Sequence, residues 1–383
     1  MRVTNSMLVS NLMNNLNGSM SRLDKLNNQM TSGRKYGHIS DDPTALIYSQ
    51  SARNKLARLD NYQRTVGTAQ SWLLQAESGV MELQTTLVNV YEAAVDAAND
   101  PKGSGEESDK AKIAAMVAQM RDHYVDTLNA TFGDKFVFGG YNTPGDPTVN
   151  TSDQGVKAFT VETVDIGGVP TPQLFYNGFN LSQFDGMTLE DYTNNFMRPQ
   201  APPPGFDPAA PNMSDPAHVA YLNAMAFQTL RDDVLTFDVG TGVSMPVTMN
   251  GIELVLFMTP GEDASGNATT VIRNAFNVMQ DFYELANAGA PADDISKMIK
   301  PLQDAQNHLL TKTAEIGGRV RRLELLEARY EQDAINYEQM RSDAEDADMA
   351  EVIMKLKMAE AVHQAALSAG ARVIQPTLMD FLR

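Results

Sequence analysis

The sequence predicts a mainly α-helical protein with an inserted β-rich domain, and a long coiled-coil rod made from N- and C-terminal segments. Two observations lead to this fold class. Apolar residues recur at heptad spacing near both ends of the 383-residue chain. Between residues 136 and 266, in contrast, the chain is rich in Gly, Pro, Asn, Thr and aromatic residues. We therefore expect the chain to run out along a rod, form a domain, and run back.

Each end of the chain carries an apolar stripe at helical spacing. The first stripe advances in steps of seven, and the second alternates steps of four and three. An amphipathic helix of this kind needs a partner surface, so we expect both ends to be assembly segments. Two ordinary amphipathic helices docked on a core are the alternative. The expected assembly interface consists of Val9, Leu12, Leu16, Leu23, Leu26, Met30, Val352, Leu356, Ala359, Ala366 and Val373.

Two details of the C-terminal stripe bear on how it packs. Ala359, Ala366 and Gly370 are small, so they would let another helix approach closely. His363 also lies on the stripe, where packing is a better explanation than metal binding.

Residues typical of helix ends and helix starts mark the boundaries of the first helices. The first helix is expected to end near Gly33, because glycine tolerates the left-handed conformation of a helix terminus. Asp42 is a good N-cap and Pro43 suits the first helical position. From Leu59 to Ala97 apolar residues recur at steps of three and four without a break, which indicates a coiled coil. A further helix over residues 113–128 is expected to form an antiparallel hairpin with it.

The centre and the C-terminal half give strand signals followed by helix signals. Short runs at 136–138, 158–161, 173–176 and 252–257 are typical of strands. A short helix is predicted over 217–231, and helix returns at about Thr269 until Gly289-Ala290-Pro291 breaks it. The last long helix carries a strict heptad series: Leu302, Leu309, Ile316, Leu323, Tyr330 and Tyr337.

These signals divide the chain into three predicted parts. Residues 1–40 and 345–383 are terminal helical assembly segments that form an inner coiled coil. Residues 41–135 and 267–344 form a helical rod domain. Residues 136–266 form an inserted β-rich outer domain.

Composition argues against several classes of function. The net charge of −18 opposes nucleic-acid binding, which requires clustered Lys and Arg. The absence of cysteine excludes disulfides and thiolate metal sites. The sequence shows no secretory signal peptide and no apolar run long enough for a membrane span, so no membrane partner is expected. These features fit a cytoplasmic protein, or one with a dedicated export route.

No catalytic, cofactor-binding or metal site emerges from the sequence. The five histidines, His38, His123, His218, His308 and His363, lack metal-ligand spacing. The acidic run at 343–348 lacks the glycine and terminal glutamate of an EF-hand loop. We therefore expect no cofactor and no enzymatic activity, and an enzyme within the central insert is only a remote alternative.

Short motifs at both ends resemble the bacterial flagellin family. The N-terminal side has Gln-Met-Thr-Ser-Gly-Arg-Lys at 29–35, followed by Ser40-Asp41-Asp42-Pro43. The C-terminal side has Ile-Gly-Gly-Arg-Val-Arg-Arg-Leu at 316–323, with Arg319 and Arg322 at the family's arginine positions. A Ser-x-x-Glu-Asp-x-Asp segment follows, with Glu345, Asp346 and Asp348. The resemblance covers about residues 1–141 and 269–383.

The Asp-Asp-Pro form resembles the hook–filament junction branch of this family more than flagellin, which usually continues Asp-Asp-Ala-Ala-Gly. The resemblance implies a flagellin-like fold and a secreted structural subunit, exported by the flagellar type III apparatus. It also implies a homo-oligomer in the flagellar axis. The implied partners are hook-associated protein 1, flagellin and an export chaperone at the C-terminal helix. A flagellin filament subunit is the alternative function.

Overall fold

Long helices make up most of the structure. The computed structural model describes residues 5–38, 40–99, 109–133, 135–140, 157–198, 201–204, 206, 208, 214–262 and 266–374. The helices are α1 Asn5–Ser32, α2 Pro43–Asn99, α3 Asp109–Leu128, α4 Leu189–Tyr192, α5 Pro216–Arg231, α6 Gly251–Val255, α7 Ala275–Asn287, α8 Ala292–Glu345 and α9 Met349–Ile374.

The strands form small separate antiparallel sheets. A three-stranded sheet has the order β3-β4-β5, and the pairs β1-β2, β6-β7 and β8-β9 form two-stranded sheets. The strands are β1 Thr131–Phe132, β2 Lys135–Phe136, β3 Phe159–Ile166, β4 Val169–Tyr176, β5 Phe179–Asn180, β6 Thr236–Gly240, β7 Val243–Pro246, β8 Leu256–Glu262 and β9 Ala268–Asn274.

The predicted end of α1 and the predicted start of α2 are confirmed. α1 ends at Ser32, and Gly33 adopts a left-handed conformation with φ of 68°. The Asp42 carboxylate accepts hydrogen bonds from the backbone N–H groups of Thr44 at 3.1 Å and Ala45 at 2.9 Å. Those N–H groups have no partner inside the helix, so Asp42 acts as the N-cap of α2. The predicted mainly α-helical class is also confirmed.

The apolar run Ile252–Phe257, predicted as a strand, divides at Val255. Residues 251–255 form α6, and only Leu256 and Phe257 belong to β8. The prediction was therefore wrong for 252–255. Asn250 starts a helical turn because its side-chain oxygen accepts from the Ile252 N–H at 2.9 Å. Only Glu253 of this run is exposed, so the run shows no clear periodicity that would separate helix from strand.

Two further boundaries differ from the predictions. Helix was expected from about Thr269, but residues 268–274 form β9, paired with β8, and α7 begins at Ala275. The β-branched run Thr269–Ile272 favours the strand. The predicted strand at 136–138 is shorter in the structure, because β2 ends at Phe136.

The chain divides into two compact units, each with its own core. One comprises residues 1–63 with 327–383, and the other comprises residues 64–326. The predicted three-part division concerns layers of an assembly rather than contacts within one chain, so it stays a prediction. The coiled-coil rod and the inserted outer domain also stay predictions.

The core of the 64–326 unit combines helices with an aromatic cluster. Leu83 and Leu87 of α2 are fully buried, and the Gln306 amide of α8 donates to the Leu87 carbonyl at 3.0 Å. Near α4 and α5, the Phe184 and Phe227 rings lie 4.8 Å apart between centroids. Both rings are fully buried, so this cluster anchors the region between β5 and β6.

In the other unit, the start of α2 runs antiparallel to the end of α8. Tyr62 stacks on Tyr330 with 6.1 Å between ring centroids. One heptad further, the Lys55 ammonium lies 5.1 Å from the ring centroid of Tyr337. These contacts fix the register of the two helices.

We expect Gly251→Ala to destabilise the 64–326 unit. A Cβ at position 251 would overlap the Phe159 ring and lie 2.8 Å from the Phe138 carbonyl oxygen. Overpacking of this kind costs about 1–3 kcal/mol. Denaturant unfolding would measure the loss.

The matched control is Gly67→Ala, since nothing lies within 4 Å of an added Cβ at that helical position. Alanine is the better helix former, so this variant should gain about 0.5–1 kcal/mol. Equal effects of the two substitutions would contradict the packing argument.

Candidate assembly surface

The terminal helices α1 and α9 form an antiparallel pair within the chain. A Cβ at Gly370 would lie 2.9 Å from the Leu12 Cδ2, so the missing side chain at Gly370 makes room for Leu12. Seven residues further along α1 and seven earlier on α9, the Ser19 Oγ and His363 Nδ1 are 3.2 Å apart. The contacts therefore follow a seven-residue step on both helices, and Gly370 is small because α1 occupies the space of a side chain.

The two predicted stripes face each other in this pair. Val352 and Leu356 are buried, and Ala359 and Ala366 are half-buried. Val373 lies in α9, but its side chain is outside the described residues. The N-terminal members are all half-buried: Val9, Leu12, Leu16, Leu23, Leu26 and Met30. Their role as an interface between subunits stays a prediction.

A groove runs along one side of the pair. It has a volume of about 780 Å³ and is lined on the α1 side by Met20, Leu23 and Asp24. Ile353 and Leu356 are among the α9 residues that complete it. Met20 is 64% exposed, so an apolar surface remains open to a partner.

A clasp, formed by Glu345, Arg53 and Ser49, joins α2 to the end of α8. The Arg53 guanidinium donates two hydrogen bonds to the Glu345 carboxylate, both at 2.7 Å, and the Ser49 hydroxyl donates a third. Glu345 is only 6% exposed. A buried carboxylate needs such a bidentate cation, and Arg53 lowers the pKa of Glu345.

Backbone hydrogen bonds tie the two interhelical linkers together beside the clasp. The Lys35 N–H donates to the Glu345 carbonyl at 2.7 Å, and the Ala347 N–H donates to the Gly33 carbonyl at 2.8 Å. The Lys35 ammonium also donates to the Asp343 carbonyl at 2.6 Å. The α1–α2 linker and the α8–α9 linker are therefore held as one short antiparallel bridge.

The other acidic motif residues hold turns and helix starts. Asp41 accepts from the Lys25 ammonium at 2.9 Å and from the backbone N–H groups of Gly37 and His38 at 3.2 Å. Asp348 caps α9 by accepting from the Ala350 N–H at 2.9 Å. Each carboxylate is matched to donors that the local backbone leaves free.

The remaining predicted motif residues have other placements. Ser40 is exposed and Pro43 is the first residue of α2. Asp346 accepts from the Ser342 hydroxyl at 2.6 Å. Arg319 pairs with Glu315 in the 64–326 unit, and Arg322 is exposed there. The structure thus gathers the motifs at 40–43 and 345–348 in one unit and leaves the arginines in the other.

Sequence reasoning missed several residues of this surface. Ser49 and Arg53 belong to no motif, and the motif at 29–35 that contains Lys35 does not indicate its partner. Only the fold brings these three residues to Glu345. Met358 and Val362 are 64% and 57% exposed on a second apolar face of α9. That face could have been found by testing the helix for a second stripe.

The part of the chain that the structure describes holds no group of three or more His, Asp or Glu side chains placed to bind a metal ion. Among the same residues, no helix combines the length and apolar character needed to cross a membrane.

Comparison with known proteins finds a family similarity in the N-terminal part of the chain. Residues 3–143 match the bacterial flagellin N-terminal helical region.

Curated relatives agree with that match to the flagellin family. Flagellar hook-associated protein 3 of Salmonella typhimurium LT2 is 30% identical over 152 residues, which are 38% of this chain and 46% of that protein. The Escherichia coli K12 protein of the same name is 29% identical over 150 residues, with the same coverage. The match spans about half the length of each relative. It confirms the resemblance to the flagellin family, and to hook-associated protein 3 within it.

A solved structure supports the flagellin-like fold. It is a Vibrio parahaemolyticus protein assigned as a flagellar hook-associated protein, with a TM-score of 0.51 and 16% sequence identity. The likeness covers 80% of this chain and 100% of that one. At this identity it bears on the fold alone.

Replacing Arg53 should loosen the α1–α2 and α8–α9 linkers. Arg53→Ala leaves the buried Glu345 carboxylate without its cation, at a cost of about 2 kcal/mol, since Arg53 itself is partly exposed. Hydrogen exchange at the Lys35 amide would measure the free energy of local opening.

Arg321→Ala is the control for this substitution. Arg321 pairs with Glu324 on an exposed helix face, where such pairs contribute about 0.3–0.5 kcal/mol. Protection of the Lys35 amide should then be unchanged. Equal exchange in the Arg53→Ala variant and the unaltered chain would refute the role of the clasp.

Acid should weaken the same region. Lys25 and the backbone N–H groups of His38 and Gly37 lower the pKa of Asp41 from 3.8 to about 2, and Arg53 lowers that of Glu345 from 4.5. Both carboxyls thus ionise at lower pH in the folded chain than in the unfolded chain. Their stabilisation is complete above the ordinary pKa values and is lost as pH falls through the lowered ones.

Hydrogen exchange at Lys35 and Ala347, corrected for intrinsic rates, should show this loss between about pH 5 and pH 2. Asp41→Asn combined with Glu345→Gln should flatten the dependence. If the double variant kept the full pH dependence, other carboxyls would be responsible.

Proposed function

We propose that this chain is a non-catalytic structural subunit of the bacterial flagellum, which joins the hook to the flagellin filament. It assembles through its terminal helices. The names of its curated relatives support a flagellar role, and the incomplete apolar surface of the α1/α9 pair supports assembly.

The exposed apolar surface of the α1/α9 pair carries this proposal. Pairing of α1 with α9 covers only one face of each helix, so Met20, Met358 and Val362 stay largely exposed. A surface of that kind marks a protein–protein contact site. Association between subunits would bury it, and this burial drives assembly without any chemical step.

The proposed position of this subunit between hook and filament indicates its partners. Subunits form a homo-oligomer in the flagellar axis, contact hook-associated protein 1 on one side and receive flagellin on the other. The flagellar type III apparatus exports the chain, and a chaperone covers α9 before export. The open apolar face of α9 supports this last step, because it would otherwise promote early association.

The junction role is preferred to that of a filament subunit on two grounds. Pro43 follows Asp41 and Asp42 where flagellins usually continue with Ala-Ala-Gly. The two curated relatives are both hook-associated protein 3 rather than flagellin. Pro43 starts α2 next to the clasp, so this difference lies close to the proposed assembly helices.

Deletion of the gene should give hooks without filaments, with unpolymerised flagellin in the medium. Electron microscopy and immunoblotting of the medium would measure this outcome. Normal filaments would contradict a required junction role. Loss of filaments without flagellin in the medium would favour the filament-subunit alternative.

Variants supplied to the deletion strain test the terminal helices. Leu356→Asp places a charge in the α1/α9 contact and should not restore filaments. Ile335→Asp is the control, because Ile335 is 60% exposed on α8. If Leu356→Asp restored filaments as well as the control does, assembly would not depend on the terminal pair.

A further inference from the structure

The uncovered surface of the α1/α9 pair has two opposite sides. Ile353 lines the groove. Val362 follows nine residues later, which is about two and a half helical turns, so it points to the other side of α9. Met358 and Ala365 accompany Val362 and form an exposed apolar ridge.

Charge is also divided between the two sides. Asp24 lines the groove, and Arg22 is turned about 200° from it, towards the ridge. Neither side chain forms an ion pair with any described residue; Asp24 accepts from Asn28 at 3.4 Å and Arg22 donates to the Gly18 carbonyl at 3.3 Å. The groove thus holds an unneutralised acid, and the ridge an unneutralised base.

Among the described side chains of α9, the other charged groups are already paired. Lys357 and Glu360, both at the groove, are 2.9 Å apart. Lys355, on the ridge side, is 2.7 Å from Glu351. Arg22 and Asp24 therefore carry the charge difference between the sides.

We propose that the ridge of one copy of this chain docks into the groove of the next copy. Val362 and Met358 of the first copy enter the groove of the second copy beside Met20 and Ile353. Arg22 of the first copy then approaches Asp24 of the second. The proposal rests on the assembly role above and names the surfaces that carry it. Because each copy offers both surfaces, the contact is head-to-tail and repeats from subunit to subunit.

Two-fold pairing is the competing arrangement, and charge opposes it. Groove against groove would bring two Asp24 carboxylates together, and ridge against ridge would bring two Arg22 guanidinium groups together. Like charges facing each other across an interface are unfavourable. The ridge-to-groove contact matches opposite charges and lets small Ala365 accommodate the neighbouring helix.

Single cysteines can test the contact because the chain has none of its own. Full-length Met20→Cys and Val362→Cys chains are purified separately, mixed and oxidised. A disulfide-linked dimer should form in the mixture, and at most trace amounts with either variant alone. Ile335→Cys replaces Val362→Cys in the control mixture, where cross-linking should be about tenfold lower.

Charge reversal tests the Arg22–Asp24 contact in the same assay. Asp24→Arg in the Met20→Cys chain should lower cross-linking to Val362→Cys about tenfold, since like charges then meet. Adding Arg22→Asp to the Val362→Cys chain should restore the original yield. Recovery by the second reversal would not follow from a general loss of folding.

Three results would overturn the proposal: no cross-link in the mixture, equal cross-linking of Met20→Cys with itself, or no recovery by Arg22→Asp. The gene-deletion experiment described above tests the junction role independently of this contact. Hooks without filaments together with a failed cross-link would leave the junction role standing and reject this contact. A specific cross-link together with normal filaments would support the contact and reject the junction role.

Discussion

The buried Glu345 carboxylate is the constraint on which the terminal unit depends. A charge in this position is costly unless a cation and hydrogen-bond donors meet it. Arg53 and Ser49 of α2 donate hydrogen bonds to this carboxylate, although they are almost 300 residues away in sequence. The end of α8 is thereby fixed to the start of α2. The α1–α2 and α8–α9 linkers then hydrogen-bond to each other. This bridge sets the register in which α1 and α9 pack together.

The α1/α9 pair leaves much of its own apolar surface uncovered. One face of α9 is used within the chain, where Gly370 lets Leu12 approach closely. The rest of the helix still carries Met358 and Val362 in the open. Apolar residues around most of a helix are typical of a buried helix, and this helix is not buried in the single chain. The composition of α9 therefore fits the proposed assembly between subunits.

Sequence patterns predicted the long helices well because many turns repeat the same signal. Asp42 and Gly33 added local cap chemistry that depends on no distant contact. The strand prediction for the short apolar run at 252–257 failed for the opposite reason, since only Glu253 is exposed and so few residues show no clear period. The motif at 345–348 was recognised, yet its partner Arg53 was not, because nothing in its spacing points to a residue on another helix.

The sequence by itself determined that this is a mainly helical chain with apolar stripes at both ends, flagellin-type motifs and no metal-binding signature. Helical period and cap residues are local properties, so they can be recognised along the chain. Only the tertiary structure decided that the two stripes face each other, that Glu345 is buried against Arg53, and that a groove and a ridge remain on opposite sides of one helix pair. Each of these depends on which distant residues meet and on which side of a helix stays uncovered, and packing alone settles both.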